Sequence, residues 1–86
     1  MEYFMPSISN FYGITIKMFF GDHNPAHFHA VYGEFNGVFD LDSLEMTEGD
    51  LPKRAINLIK EWATIHKNEL IYIWENNDYI KIPGLK

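Results

Sequence analysis

A period-two alternation of apolar and polar residues predicts strands in the first half of the chain. The clearest segment is Phe11–Phe20, where every second residue is apolar from Tyr12 onward. His27–Tyr32 and Phe35–Leu41 alternate in the same way. The connections at 21–25 and at Gly33-Glu34 are too short for a crossover, so neighbouring strands should pair antiparallel.

Three further segments carry weaker patterns. Ser7–Asn10 is rich in turn formers, and Glu45–Asp50 is polar, so both are interpreted as connections rather than strands. Tyr79–Ile82 alternates weakly and is followed by Pro83-Gly84, which allows an edge strand at the C-terminus.

The second half of the chain changes to helical spacing. Apolar residues recur three or four positions apart from Leu51 through Trp74, with Asp50 as the expected N-cap and Pro52 in the first turn. A straight helix of this length would exceed the roughly 31 Å diameter expected for a chain of this size. We therefore expect a bend or break at His66–Asn68, with Asn68 capping a second helix.

This order of elements predicts an α+β fold. A three-stranded antiparallel sheet, with Tyr79–Ile82 as an optional fourth edge strand, should be covered on one face by a C-terminal helical hairpin or bent helix that stops at Asn76-Asn77. The residues expected to meet across the interface are Tyr12, Ile14, Ile16, Phe35 and Phe39 from the sheet and Leu58, Ile59 and Trp62 from the helix.

Composition narrows the class of protein. The 86 residues allow one domain, 1–86, and their 47 % apolar fraction is typical of a globular protein. The absence of cysteine excludes disulfides, thiolate metal sites and cysteine nucleophiles. No signal peptide or membrane-spanning apolar run is recognisable, so we expect a cytoplasmic protein. The net charge of −5 argues against broad nucleic-acid binding.

The candidate chemistry is concentrated in one histidine-rich stretch. His23, His27 and His29 lie within seven positions, and Asp22 precedes the first of them. Alternation places His27 and His29 on one face of a strand, roughly 6.5 Å apart at their Cα atoms. Such a pair can converge on one ligand.

Three interpretations of these histidines stay open. Imidazoles are good ligands for zinc and similar divalent transition metals, with Asp22 and His66 as weaker candidate ligands. The same group, Asp22 included, could instead perform acid–base catalysis. The third interpretation is structural, with the rings hydrogen-bonding to the backbone or to each other.

Two other features carry less information. His66 lies on the apolar stripe of the helix, where a hydrogen-bonded core histidine is the simpler interpretation. Asp40 and Asp42 would share a strand face if the strand continues that far, and with a metal they could complete a phosphoesterase-like site. As acids on a solvent-facing surface they need no such role.

Four segments resemble a known prokaryotic family, domain-of-unknown-function family 4160. They are P-S-I-S-N-F-Y-G-I-T-I-K-M-F at Pro6–Phe19, D-H-N-P-A-H-F-H-A-V-Y-G-E at Asp22–Glu34, L-P-K-R-A-I-N-L-I-K-E-W at Leu51–Trp62 and H-K-N-E-L at His66–Leu70. The family pattern usually reads D-H-x-P-P-H-F-H, and here Ala26 replaces the second proline. Asp22, His23, His27, His29 and His66 all fall on positions of the family motif.

The resemblance implies binding to another protein and gives no particular catalytic reaction. Genes of the family often neighbour those of another small uncharacterised family, an arrangement similar to toxin–antitoxin pairs. We therefore expect an interaction module that binds a protein partner or a second copy of itself, with the acidic segment Asp40–Asp50 serving solubility or partner contact. The alternative is a metal-dependent hydrolase or nuclease that uses His23, His27 and His29.

Overall fold

The computed structural model describes residues 7–18 and 25–86. In these ranges the strands and helices follow one another in the order β1 (Ser7–Phe11), β2 (Ile14–Lys17), β3 (His27–Tyr32), β4 (Phe35–Asp40), β5 (Met46–Gly49), α1 (Lys53–Ile65) and α2 (Lys67–Asn76). The five strands form one antiparallel sheet in chain order, and each strand pairs with the next. The predicted α+β class with C-terminal helices is confirmed, whereas the predicted number of strands is too small.

The first additional strand arises from a hairpin inside the segment predicted as one strand. Tyr12 and Gly13 form a two-residue turn with φ of 51° and 81°, and Phe11 pairs with Ile14 across it. Positive φ at both central residues is the type I′ geometry that favours tight hairpins. Ser7–Asn10 is therefore part of β1 rather than a connection. The hydrogen bond from Thr15 Oγ1 to Asn10 Oδ1, 2.8 Å long, satisfies polar side chains across this pair.

The second additional strand lies in the acidic segment predicted as a loop. Met46–Gly49 pairs with β4, with Val38 opposite Glu48 and Phe39 opposite Met46. Most of this strand is exposed, and its partner β4 supplies the pairing. Only Met46 in this strand is partly buried, so the sequence of β5 has no alternation of apolar and polar residues that would predict a strand.

The two helices are separated where the length argument places the break. α1 ends at Ile65, His66 lies between the helices with φ of −108° and ψ of 21°, and α2 begins at Lys67. A straight helix from Lys53 to Asn76 would measure about 36 Å, which exceeds the largest extent of 30 Å.

The predicted caps are wrong at both helix starts, whereas the predicted stop is confirmed. Pro52 and His66 occupy the N-cap positions, and neither provides a side-chain cap. The Asp50 carboxylate instead accepts a hydrogen bond from the backbone N–H of Asn36 at 3.1 Å. Asn77 ends α2 in the left-handed conformation, with φ of 52°.

The core lies between the sheet and the helices. Five of the predicted interface residues are at most 1 % exposed, namely Ile14, Ile16, Phe39, Ile59 and Trp62. Phe35 and Leu58 pack against this core and are half-buried. Tyr12 contradicts the prediction because it lies in the hairpin turn and is 56 % exposed.

The C-terminal segment packs beside β1 without forming a strand among the residues described. The N–H of Ile82 donates to the carbonyl oxygen of Ile8 at 2.8 Å, and Ile82 itself is buried. Gly84 passes so close to β1 that a Cβ atom there would lie 2.5 Å from the carbonyl oxygen of Asn10. The optional edge strand predicted at Tyr79–Ile82 is therefore not formed, although Ile82 makes one backbone hydrogen bond to β1. Within the described ranges, no helix is long and apolar enough to cross a membrane.

Candidate functional site

Strand β3 places two of the candidate histidines side by side. Its burial alternates as predicted, because Phe28 and Ala30 enter the core while His27 and His29 lie on the other face. The imidazole centroids of His27 and His29 are 5.3 Å apart in an edge-on arrangement. The period-two prediction for this pair is therefore confirmed.

The backbone and a tryptophan hold the ring of His27. Its Nδ1 atom lies 2.8 Å from the carbonyl oxygen of Pro25, so Nδ1 carries the proton and donates it. In the neutral imidazole Nε2 then carries the lone pair, which is the arrangement seen when a backbone carbonyl orients a metal-binding histidine. The ring also contacts the indole of Trp74 in α2, with centroids 5.2 Å apart.

His29 lies between two neighbouring strands of the sheet. Its cross-strand neighbours are Lys17 on β2 and Val38 on β4, and its Nε2 atom is buried from solvent. Both His27 and His29 make additional interactions, so both side chains have partners within the protein.

Asp40 lies opposite His27 in the register of β3 and β4, but its carboxylate is engaged with the backbone. Asp40 Oδ1 accepts hydrogen bonds from the N–H groups of Asp42 and Ser43, at 2.7 and 3.0 Å. This turn ends β4 at Asp40. Asp42 is exposed beyond the end of the strand, so the predicted shared face of Asp40 and Asp42 does not form.

A small cavity adjoins the histidine strand. It has a volume of about 220 Å³ and lies between the residues that flank β3 and β4 and the helix α2; its lining consists of Ala26, Leu41, Ile71 and Trp74 together with Asp42, Lys67 and Glu75. The ammonium group of Lys67 lies at its rim and donates to the carbonyl oxygen of Asp42 at 2.7 Å. This volume is below the range of roughly 300–1,000 Å³ that is usual for small-molecule sites.

His66 is occupied at the helix junction. Its Nδ1 atom lies 2.6 Å from Oε1 of Glu69, and its ring lies 5.6 Å from the indole of Trp62. The side chain is only 15 % exposed, as expected for a hydrogen-bonded core histidine. His66 contacts Trp62 and Glu69 in the helices, whereas the contacts of His27 include Pro25, His29 and Trp74.

The structure describes only some of the predicted metal ligands, namely His27, His29 and His66. Asp22 and His23 lie outside the described residues. Over 7–18 and 25–86, no group of three or more histidine, aspartate or glutamate side chains is arranged to hold a metal ion. The set His23, His27 and His29 stays a prediction.

A second concave surface was not anticipated from the sequence. It lies between the β1–β2 turn, the end of β3 and the start of α1, and has a volume of about 360 Å³. Its lining includes Tyr12, Tyr32, Arg54 and Leu58, and the two tyrosines are 56 % and 37 % exposed. The signal that could have located it is the Tyr12-Gly13 pair, because a glycine between two apolar runs marks a hairpin.

Comparison with known proteins gives one match. The family model described as "Domain of unknown function (DUF4160)" matches residues 13–75, which include β2 to β5 and nearly all of both helices. No curated protein and no solved structure matches the chain. Since the matched region covers most of the 86 residues and contains His27, His29 and His66, the chain belongs to the family of proteins with this domain of unknown function.

Proposed function

We propose that the protein is a small interaction module that binds a partner protein, as one member of a toxin–antitoxin-like pair. The observation that carries this proposal is the exposure of Tyr12 and Tyr32 around a concave surface that also contains Arg54. Tyrosine and arginine are the residues most enriched among those that dominate binding energy in protein interfaces. Burying exposed aromatic surface is favourable, and a folded monomer gains nothing from leaving it in water.

The proposal is tested with the product of the gene adjacent to this one in its own genome. The two purified proteins should bind with a dissociation constant of about 1 μM or lower, which corresponds to about −8 kcal/mol. In cells, expression of one member alone should slow growth, and co-expression of the other should restore it. Absence of binding in calorimetry, together with unaffected growth, would contradict the paired function.

Self-association is the competing outcome for the same surface. Sedimentation of the isolated protein over a range of concentrations separates the two cases, because a homo-oligomer dissociates on dilution without any second protein. A concentration-dependent dimer of the isolated protein that does not bind the neighbouring gene product would favour self-association over the paired function.

A metal-dependent hydrolase or nuclease is the second candidate, and one observation favours it. The carbonyl of Pro25 fixes the tautomer of His27 that leaves Nε2 as the coordinating atom, 5.3 Å between ring centroids from His29. Zinc is the natural first ion to test, because it accepts imidazole and carboxylate ligands in tetrahedral sites. Asp22, His23 and His66 are the other ligands proposed for it.

The metal proposal predicts a pH-dependent effect of zinc. Imidazole coordinates only when neutral, so zinc should raise the melting temperature at about pH 7.5 and much less at about pH 5.5. Replacing His27 and His29 together with alanine should abolish the gain, while His66→Ala tests the weaker ligand separately. A titration of metal-stripped protein that shows no heat contradicts the metal site. Hydrolysis of a phosphodiester that depends on the same two histidines would be needed to assign catalysis.

A further inference from the structure

We propose that the concave surface lined by Tyr12, Tyr32 and Arg54 docks an extended segment of the partner that carries a carboxylate side chain between apolar ones. This inference rests on the proposed interaction function and adds to it where the partner binds and with what chemistry. Three independent features support it: the conformation of Tyr12, the shape of the surface and its charge.

Tyr12 has a backbone conformation that is unfavourable for a tyrosine. With φ of 51° it adopts the left-handed conformation that asparagine and glycine tolerate and that bulky residues avoid. The preferred sequence for this two-residue turn is Asn-Gly, and the chain has Tyr-Gly. Because the phenol is 56 % exposed, burial within the chain does not compensate for the strain. A large aromatic side chain kept at such a position indicates a role outside the fold.

The surface suits a chain segment better than a cofactor. Its 360 Å³ is near the lower limit of ligand pockets, which is room for one or two side chains. A second depression of about 340 Å³ shares Tyr12, Arg54 and Leu58 with it and is also lined by Glu61, Leu85 and Lys86. Because they share these residues, the two depressions adjoin one another at the start of α1. Two adjoining depressions that share an exposed tyrosine suit successive side chains of an extended peptide.

Tyr32 forms the opposite wall and is held against the hairpin. A Cβ atom on Gly13 would lie 3.4 Å from Cε1 of Tyr32, which is an ordinary van der Waals distance, so the ring lies beside the turn. Gly13 has φ of 81°, which other residues rarely adopt, and glycine therefore suits this position for conformational reasons.

Charge identifies the group that the segment should carry. Of the side chains in 7–18 and 25–86, Arg54 is the one charged group that lines the 360 Å³ cavity, in a chain whose net charge is −5. Lys53 and Arg54 begin α1, its first turn has no acidic residue, and Pro52 offers no side-chain cap. Two cations at the positive end of a helix dipole are unfavourable unless an anion joins them. Between described residues, the ion pairs are made by other side chains, and Arg54 takes part in none of them.

A blocked pentapeptide of sequence glycine-phenylalanine-glutamate-phenylalanine-glycine is a direct probe. Followed by amide NMR of the full chain at up to about 5 mM peptide, it should shift the signals of Tyr12, Gly13, Tyr32 and Arg54. The matched peptide with glutamine in place of glutamate should bind about fivefold more weakly, as expected for one exposed ion pair. Equal binding of both peptides, or shifts centred elsewhere, would overturn the inference.

Variants separate docking from folding. Tyr12→Asn should raise the melting temperature, because asparagine suits the turn, and yet weaken binding of both peptides at least tenfold. Arg54→Gln should remove the preference for glutamate. Lys53→Gln is the matched control, since it removes a neighbouring charge that does not line the cavity and should retain most of that preference. If Tyr12→Asn lowers stability or leaves peptide binding intact, the role assigned to Tyr12 is wrong.

The same variants distinguish this inference from the function on which it rests. If the neighbouring gene product binds the wild type and Tyr12→Asn equally well, the docking surface is wrong and the interaction function stands. If that product does not bind the wild type at all, the proposed function fails, whatever the peptides do.

Discussion

The indole of Trp62 donates a hydrogen bond from Nε1 to the carbonyl oxygen of Pro83, with a length of 2.9 Å. Trp62 is fully buried in the centre of α1, whereas Pro83 belongs to the C-terminal segment beside β1. The same indole stacks on Phe11 of β1, with ring centroids 5.3 Å apart. One side chain therefore links the helix layer, the first strand and the C-terminal segment.

Two substitutions at Trp62 should separate packing from hydrogen bonding. Trp62→Ala should lower the free energy of unfolding by about 3–5 kcal/mol, because it leaves a cavity in the core. Trp62→Phe keeps most of the ring contacts but leaves the Pro83 carbonyl without its donor, so a loss of about 1–3 kcal/mol is expected. Urea-induced unfolding measures both. If Trp62→Phe is as stable as the wild type, the hydrogen bond to Pro83 contributes nothing; equal losses for the two variants would instead show that the ring packing adds nothing beyond that bond.

The local pattern of apolar residues was sufficient to predict the elements that bury one complete face. The predicted bounds His27–Tyr32 coincide with β3, since Phe28 and Ala30 alternate cleanly with the two histidines. The break at His66 followed from length alone, because no helix of that many residues fits a domain of this diameter. The strand was predictable because alternation is a local property of a few residues. The break was predictable because the size of the whole domain limits the length of a helix.

The missed strands depend on pairing between distant segments. The alternating apolar residues Tyr12, Ile14 and Ile16 continue from the turn into β2, so the predicted strand starts at Phe11 and includes the turn; Ser7–Asn10, which forms most of β1, has no such alternation. In β5 the strand owes its existence to β4, and its own residues are almost all exposed. The exposed aromatic surface at Tyr12 was hidden for the same reason as the hairpin that creates it.

The candidate histidine site was predictable in part. The shared face of His27 and His29 follows from strand geometry, but the contact between His27 and Trp74 joins residues far apart in the chain. Likewise, the sequence allowed Asp40 and Asp42 to share a strand face and complete a metal-dependent phosphoesterase-like site, whereas the carboxylate of Asp40 forms a turn in the structure. Long-range contacts of this kind leave no local pattern.

Asp40 should tolerate asparagine better than alanine. Asparagine retains an oxygen that can accept from the N–H groups of Asp42 and Ser43, so Asp40→Asn should change the free energy of unfolding by at most about 0.5 kcal/mol. Asp40→Ala removes the acceptor and should cost about 1–2 kcal/mol. Thermal unfolding of the two variants decides between them. A large loss with asparagine would show that the negative charge of Asp40, and not only its acceptor oxygen, stabilises the turn.

Asn77 marks a position where stability can be increased. It ends α2 with φ of 52°, a conformation in which glycine carries no steric penalty. Asn77→Gly should therefore stabilise the protein by up to about 0.5 kcal/mol, and Asn77→Ala should destabilise it by about 1 kcal/mol. Chemical denaturation of both variants gives the order. If alanine proves as stable as glycine, the left-handed cap is not maintained in solution.

Tyr72 and Asp78 form a pair whose effect should appear at alkaline pH. The phenol of Tyr72 donates to Oδ2 of Asp78 at 2.8 Å. This hydrogen bond, together with the negative charge of the carboxylate, raises the pKa of Tyr72 above its ordinary value of 10.0. Because the pKa is higher in the folded state, the interaction stabilises the fold fully below about pH 10 and is lost as the pH rises through the raised value.

Titration of tyrosinate absorbance should therefore show a step above the ordinary pKa of 10.0 that belongs to Tyr72. That late step should be missing from Tyr72→Phe, and in Asp78→Asn it should move back toward pH 10, because the amide carries no charge. The difference in stability between the wild type and Asp78→Asn should likewise shrink above that pH. If Tyr72 ionises at the same pH with and without the Asp78 carboxylate, the pair does not persist in solution.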